Sequence, residues 1–153
     1  MDMRKKLSEA ARDRILILDG AMGSMIQAFR FPDGKPLREE DFRGKRFANH
    51  DQQLRGCNDV LCLTRPEIVS GIHEAYLDAG SDIIGTCSFC ANPISLKDFG
   101  LEALSREISA ASAALARKAA DKYSSPEKQR FVAGSMGPTA KSTTFSPNMD
   151  KPW

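Results

Sequence analysis

The sequence predicts an α/β fold built on a parallel sheet, and three observations carry that expectation. Short apolar runs at residues 15–18, 82–86 and 131–134 alternate with segments of helical periodicity. Each run passes directly into a Gly-rich or Ser/Thr-rich loop. The composition, with 41% hydrophobic residues, 11 Gly and 8 Pro in 153 residues, is that of a single globular domain spanning 1–153 rather than of a disordered chain. Strands that alternate with helices pair in parallel, and parallel sheets place their ligands at the C-terminal ends of the strands.

Taken in order, residues 3–14 are charged, with Leu7, Ala10 and Ala11 at helical spacing, and predict an amphipathic helix lying over one face. Ile15-Leu16-Ile17-Leu18, ended by Asp19-Gly20, predicts a strand buried on both faces. In the turn Asp19-Gly20-Ala21-Met22-Gly23-Ser24 two glycines let the backbone approach a ligand, and a helix is expected over 25–31. Residues 32–62 are polar and interrupted by Pro32, Gly34, Pro36, Gly44 and Gly56, so they predict a long loop excursion with little regular structure.

Thr64-Arg65-Pro66-Glu67 starts the next helix, with Thr as cap, Pro in the first turn and Glu three residues after Thr. Ile68, Ile72, Ala75 and Ala79 continue it and Gly80 stops it. A second strand follows at 82–86. Residues 101–123, with Leu104, Ile108, Ala111 and Leu115 on one stripe and eight alanines, predict another helix. The third strand, 131–134, ends in Gly134-Ser135-Met136-Gly137-Pro138-Thr139. Beyond Lys141 no periodicity remains, and the sequence reaches Trp153 without a terminating element. Three strands with two crossover helices leave sheet edges open, so the sheet reads as incomplete.

Charge narrows the function classes. Lys and Arg total 22 against 20 Asp and Glu, a formal +2, which gives no footprint for nucleic acid and too little charge for an anionic membrane. No apolar run approaches the roughly 20 residues of a membrane span, and no apolar stretch follows the charged first residues, so the chain reads as cytoplasmic. In that setting Cys57, Cys62, Cys87 and Cys90 are free thiols, metal ligands or small buried hydrophobes rather than disulfides.

Asp19, at the tip of the first strand, is followed by the amides of Gly20, Ala21 and Met22. A carboxylate beside a group of amides offers an acceptor for an ammonium and donors for a carboxylate, as an amino acid requires; the alternatives are a phosphate site or a simple cap of the helix that follows. Cys87-Ser88-Phe89-Cys90 has the spacing of half a zinc site, or of a redox motif that opens a helix after a strand, or of incidental loop cysteines. His50 in the polar stretch and His73 in a helix, facing partly outward, stand in no relay arrangement and read as surface or loop histidines.

Taken together, Ile17-Leu18-Asp19-Gly20-Ala21-Met22-Gly23-Ser24-Met25-Ile26-Gln27, Asp41-Phe42-Arg43-Gly44, Asn58-Asp59-Val60-Leu61, Leu63-Thr64-Arg65-Pro66, Tyr76-Leu77-Asp78-Ala79-Gly80-Ser81-Asp82-Ile83-Ile84 and Val132-Ala133-Gly134-Ser135-Met136-Gly137-Pro138-Thr139 resemble the homocysteine S-methyltransferase family. Within it they closely resemble the N-terminal homocysteine-binding module of cobalamin-dependent methionine synthase, with the segment around Asp41-Phe42-Arg43-Gly44 pointing to that branch. The resemblance implies a (β/α)8 TIM-type barrel, of which this chain would be the first three or so βα units, apparently incomplete. It implies methyl transfer to a zinc-activated homocysteine thiol to give methionine. It also implies partners in the methylcobalamin and folate modules of a longer protein.

By the same resemblance Asp19, Gly20, Ala21 and Met22 hold the amino-acid end of homocysteine, with Thr86, Phe89, Ser135 and Gly137 completing the substrate site. The family's zinc cysteines lie in Asn-Cys and Gly-Gly-Cys-Cys contexts on later strands, and neither context occurs here. The expectation is that the zinc ligands lie beyond Trp153, with no catalytic residue and no metal ligand within this chain. Where the family usually has Glu-Thr-Asn-Thr-Phe, this chain has Gly85-Thr86-Cys87-Ser88-Phe89, two polar groups fewer at the mouth of the site. Two rival readings stand beside the enzyme: a degenerate binding module without chemistry, and a small thiol or zinc module on Cys87 and Cys90.

Overall fold

The computed structural model describes residues 3–139 and 141. The aperiodic stretch expected beyond Lys141, Trp153 included, lies outside the described residues. In chain order the elements are α1 (Met3–Asp13), α2 (Met22–Ala28), α3 (Glu39–Arg43), α4 (Leu61–Thr64), α5 (Pro66–Asp78), β1 (Ile83–Gly85), α6 (Pro93–Leu96), α7 (Ser105–Tyr123) and β2 (Phe131–Ala133). Short 3-10 turns at Asn58–Val60, Lys97–Phe99 and Glu102–Leu104 join them.

The strands β1 and β2 pair in parallel, with Ile83 opposite Phe131, Ile84 opposite Val132 and Gly85 opposite Ala133. The expected first strand is reduced to an extended segment joined to β1 by a single parallel bridge, Leu18 to Ile83. The Asp19 N–H donates to Ile83 O at 2.9 Å, and the N–H groups of Asp82 and Ile83 both donate to Ile17 O. This segment is not buried on both faces: Ile15, Ile17 and Leu18 are 86%, 53% and 60% exposed. Among the described residues no further strand pairs with its outer edge, so its apolar run has one neighbour rather than two. Phe131, by contrast, is buried.

Asp82 fixes this segment to the sheet. Its carboxylate, 1% exposed, takes a bidentate pair from Arg14 at 2.7 and 2.8 Å and the Ile17 N–H at 2.9 Å. The Arg14 bonds hold its pKa down at about 2 against the opposing effect of burial. Helix α1 itself buries no residue, because charged side chains occupy most of its surface.

Helices α5 and α7 pack on each other and on the sheet. Ile84 meets Leu77 of α5 and the alanines Ala116, Ala119 and Ala120 of α7, whose small side chains let the layers approach closely. His73, expected to face partly outward, is fully buried on α5, since it shares the helix face of Val69 and Leu77. Helix α5 is capped differently from expectation. Thr64 closes α4 by donating its hydroxyl to Val60 O, and Arg65 is the residue before Pro66 at the first helical position. Helix α2 begins three residues before the expected start, and α7 is preceded by a separate 3-10 turn.

The polar stretch 32–62 contains only α3, one 3-10 turn and the first two residues of α4 as helix, yet it contributes a large part of the core. Leu37, Phe42, Phe47, Leu54, Cys57 and Val60 are buried with Ile68, Val69 and Ile72 of α5. Its charges are used internally: Glu39 accepts from Arg43 Nε at 2.7 Å and from the Leu54 and Arg55 N–H groups at 2.8 and 2.7 Å. In the Asp41-Phe42-Arg43-Gly44 motif, Asp41 receives Arg65 at 2.7 Å, Phe42 is buried, and Gly44 has φ +51, where a Cβ would also stand a tight 3.1 Å from Thr64 Cβ. The motif pins the excursion to the junction of α4 and α5.

Candidate substrate-binding site

At the C-terminal ends of the three parallel segments lies a cavity of about 630 Å³. It is where a parallel sheet is expected to bind a ligand. Asp19, Gly20, Ala21, Met22, Thr86, Phe89 and Ser135 line it, seven of the eight residues named from the sequence. Gly137, the eighth, stands behind the wall: its N–H donates to Phe89 O at 2.9 Å.

Asp19 does not cap α2. The N-cap is Ala21, without a side-chain hydrogen bond, while Asp19 Oδ2 accepts the Gly85 N–H at 2.9 Å from the end of β1. Burial raises its pKa, and that hydrogen bond opposes the rise. Space does not require glycine at position 85, where a Cβ would be an ordinary 3.6 Å from Asp19 Oδ1. Gly20 is different: a Cβ there would stand 2.8 Å from the Tyr76 hydroxyl, so the ring of the α5 tyrosine lies directly against the bare backbone of the turn and would have to move for any side chain.

The loop after β1 is bound to the turn after β2 by a small network. Thr86 Oγ1 accepts the Ser135 N–H at 2.8 Å and lies 2.7 Å from Ser88 Oγ, which donates to Ser135 O at 2.9 Å. Phe89, 54% exposed, forms the outer lip.

The cavity wall also contains residues that the sequence did not single out as ligand-facing: Asn58, Asp59, Cys87, Cys90 and Phe99. Asn58 and Asp59 were visible as part of a recurring motif, but nothing local marks them as lining a site formed 27 residues later in the chain. Asp59 is buried, accepts the Cys90 N–H at 2.7 Å, and has its pKa raised by burial to about 6.

The four cysteines gather near Asp59 with free thiols. Burial pushes Cys57 up to about 12, contact with Cys62 followed by burial raises Cys87, and burial followed by the Asp59 charge raises Cys90. Cys57, Cys87 and Cys90 therefore stay protonated at neutral pH and are poor nucleophiles. Cys87-Ser88-Phe89-Cys90 does not open a helix, since α6 starts only at Pro93 behind the Asn92 cap, so the redox-motif geometry is absent. Among the described residues no three His, Cys, Asp or Glu side chains are arranged to hold a metal ion, and the residues present do not fit the zinc that the resemblance implies. The zinc ligands expected beyond Trp153 fall outside the described residues altogether. No helix among the described residues is long and apolar enough to cross a membrane.

A parallel α/β arrangement with an acidic residue at one strand tip and Gly-rich turns around a shared cavity defines a class of small-molecule binding domain. The chain belongs to the homocysteine S-methyltransferase family, whose model matches residues 16–151. It is similar to two solved structures of the homocysteine methyltransferase MmuM from Escherichia coli. The oxidized form is 30% identical with a TM-score of 0.59, over 81% of this chain and 37% of that one. The metallated form is 30% identical with a TM-score of 0.60, over 84% and 40%. The chain thus spans about two fifths of the length of those enzymes.

Proposed function

We propose that this chain is the homocysteine-binding part of a methionine synthase type methyltransferase, working with segments beyond those described. In this reading the Asp19 carboxylate accepts the substrate ammonium, and the backbone amides of Gly20, Ala21 and Met22 face its carboxylate. Thr86, Phe89 and Ser135 bound the side-chain end, and Gly137 supports Phe89. The observation that carries the proposal is the gathering of seven of these residues around one cavity at the strand ends.

The reaction needs the homocysteine thiol as thiolate, because the thiol itself is mostly protonated at neutral pH. In the family a bound zinc supplies that ionisation. This chain's described residues do not form such a site, so their own part is to bind and orient the amino acid. Cobalamin as methyl carrier on another module belongs to the same proposal and rests on the sequence motifs, as does a cytoplasmic setting, with which four free cysteines agree.

Calorimetric titration of L-homocysteine into the wild-type chain and into Asp19→Ala tests the assignment. The variant is expected to lose binding, since a charge-assisted hydrogen bond to the ammonium is worth roughly 1.5–3 kcal/mol, tenfold or more in Kd. Equal affinities would remove Asp19 from the site.

A further inference from the structure

The binding proposal leaves Asp59 without a role, although it lines the cavity and is 4% exposed. It stands in the 3-10 turn Asn58–Val60, at the end of the long excursion, and both of its oxygens reach to the loop after β1. Oδ2 accepts the Cys90 N–H at 2.7 Å, and Oδ1 accepts from the Cys87 thiol at 3.8 Å. The opposite side of that loop is tied to the turn after β2 through Thr86, Ser88 and Phe89. Residues 86–90 therefore hang between two anchors, one made of neutral hydrogen bonds and the other of the Asp59 carboxylate together with weak thiol contacts, Cys62 Sγ to Cys87 O at 3.5 Å and Cys87 Sγ to Asn58 O at 3.8 Å.

We propose that Asp59 is a positioning residue whose charged carboxylate holds Cys90 in place and so fixes the 86–90 loop as a wall of the cavity. The consequence for substrate rests on the homocysteine reading above; the consequence for the loop does not. A hydrogen bond to a carboxylate is roughly twice as strong as one to a neutral acceptor. In a local opening that frees the Cys90 N–H while Asp59 stays buried, protonating Asp59 weakens the anchor, because this hydrogen bond favours the charged carboxylate; the burial cost of the charge, which acts in the opposite direction, is relieved only when the fold opens as a whole and Asp59 reaches solvent.

The titratable groups around Asp59 are Cys57 on its own segment, Cys62 of α4 behind Cys87, and Cys87 and Cys90 of the loop. Asp19 is the other carboxylate lining the cavity, and among the described residues no Lys, Arg or His lines it. With no cation among the lining residues to offset burial, Asp59 exchanges its proton near pH 6, inside a range that the folded protein can be studied in.

The test is amide hydrogen exchange at Cys90 in the intact chain, corrected for the intrinsic rate at each pH, in wild type, Asp59→Asn and Asp59→Glu. Wild-type protection at Cys90 is expected to fall about tenfold between pH 7.5 and pH 5, while Thr86, whose N–H donates to Ala133 O, keeps its protection. Asp59→Asn should be low and flat across that range, and Asp59→Glu should restore the pH dependence. Flat wild-type protection, or an Asn variant protected as well as wild type, overturns the proposal. Should Asp59→Asn lose Thr86 protection as well, the variant has not folded and the wild-type pH series decides alone. Titration with L-homocysteine gives a separate arm in which Asp59→Asn is expected to bind about tenfold more weakly. Equal affinity overturns the link from loop to site. A wild-type chain that ignores homocysteine overturns the functional reading above, while the exchange result still judges Asp59.

Discussion

Individual positions in this chain are decided by close approach as much as by charge. A Cβ on Gly137 would lie 2.5 Å from Phe89 O and 2.7 Å from its ring, contacts that backbone cannot yield without shifting. Gly137→Ala is therefore expected to push the turn after β2 away from Phe89, break the Gly137-to-Phe89 hydrogen bond, and cost about 1–3 kcal/mol. Gly134, three residues earlier, has open space where its Cβ would be, so Gly134→Ala should stay within about 0.5 kcal/mol of wild type. Urea unfolding of the two variants checks the pair, and equal midpoints would contradict the packing argument. The family resemblance names Gly137 through its Gly-Pro-Thr turn, although it stands behind the cavity wall rather than in it. Asp59 could not be named, because its contacts are with backbone and thiol 28 and 31 residues away.

At the scale of elements, what was legible was periodic. β1, β2, α5 and α7 stand close to their expected places because a short apolar run or a 3.6-residue stripe marks each of them. Expectations failed where tertiary context outweighed local pattern. Thr64 has the spacing of a cap, but the buried Leu61 and Cys62 draw it into the preceding helix. The excursion reads as polar because its buried residues, Leu37, Phe42, Phe47 and Leu54, are spaced without any period, and only the fold shows that they share one core.

The segment from Ile15 to Leu18 is the clearest case: its sequence is that of a central strand, while its environment is that of an edge with Ile15 almost fully exposed. Apolar strand edges of this kind promote association. The chain is expected to bind a hydrophobic dye or to self-associate, and Ile15→Lys to reduce the effect. Light scattering and dye fluorescence measure it, and a monomer that binds no dye would contradict the exposure seen here.

For the molecule as a whole, two buried titratable groups act on stability with opposite signs. His73 is fully buried in α5 with both ring nitrogens unpartnered, and burial lowers its pKa from 6.5 to about 4. Between those values the unfolded chain binds the proton and the fold does not, so His73's contribution is complete above pH 6.5 and is lost as pH falls towards 4. Asp59, raised from 3.8 to about 6, behaves in reverse: its contribution is complete below pH 3.8 and is lost as pH rises through 6. Each shift of two or more units corresponds to the order of 3 kcal/mol, so in wild type the two largely offset one another between pH 4 and 6. His73→Leu removes one partner of that balance. It also removes two unsatisfied buried nitrogens from an apolar contact, and should stabilise the fold at pH 7 by about 1–2 kcal/mol. The stability of that variant relative to wild type is expected to rise as pH falls from 6.5 to 4. Thermal unfolding of both proteins across this range measures it, and parallel curves would show that His73 is neither buried neutral nor unpartnered.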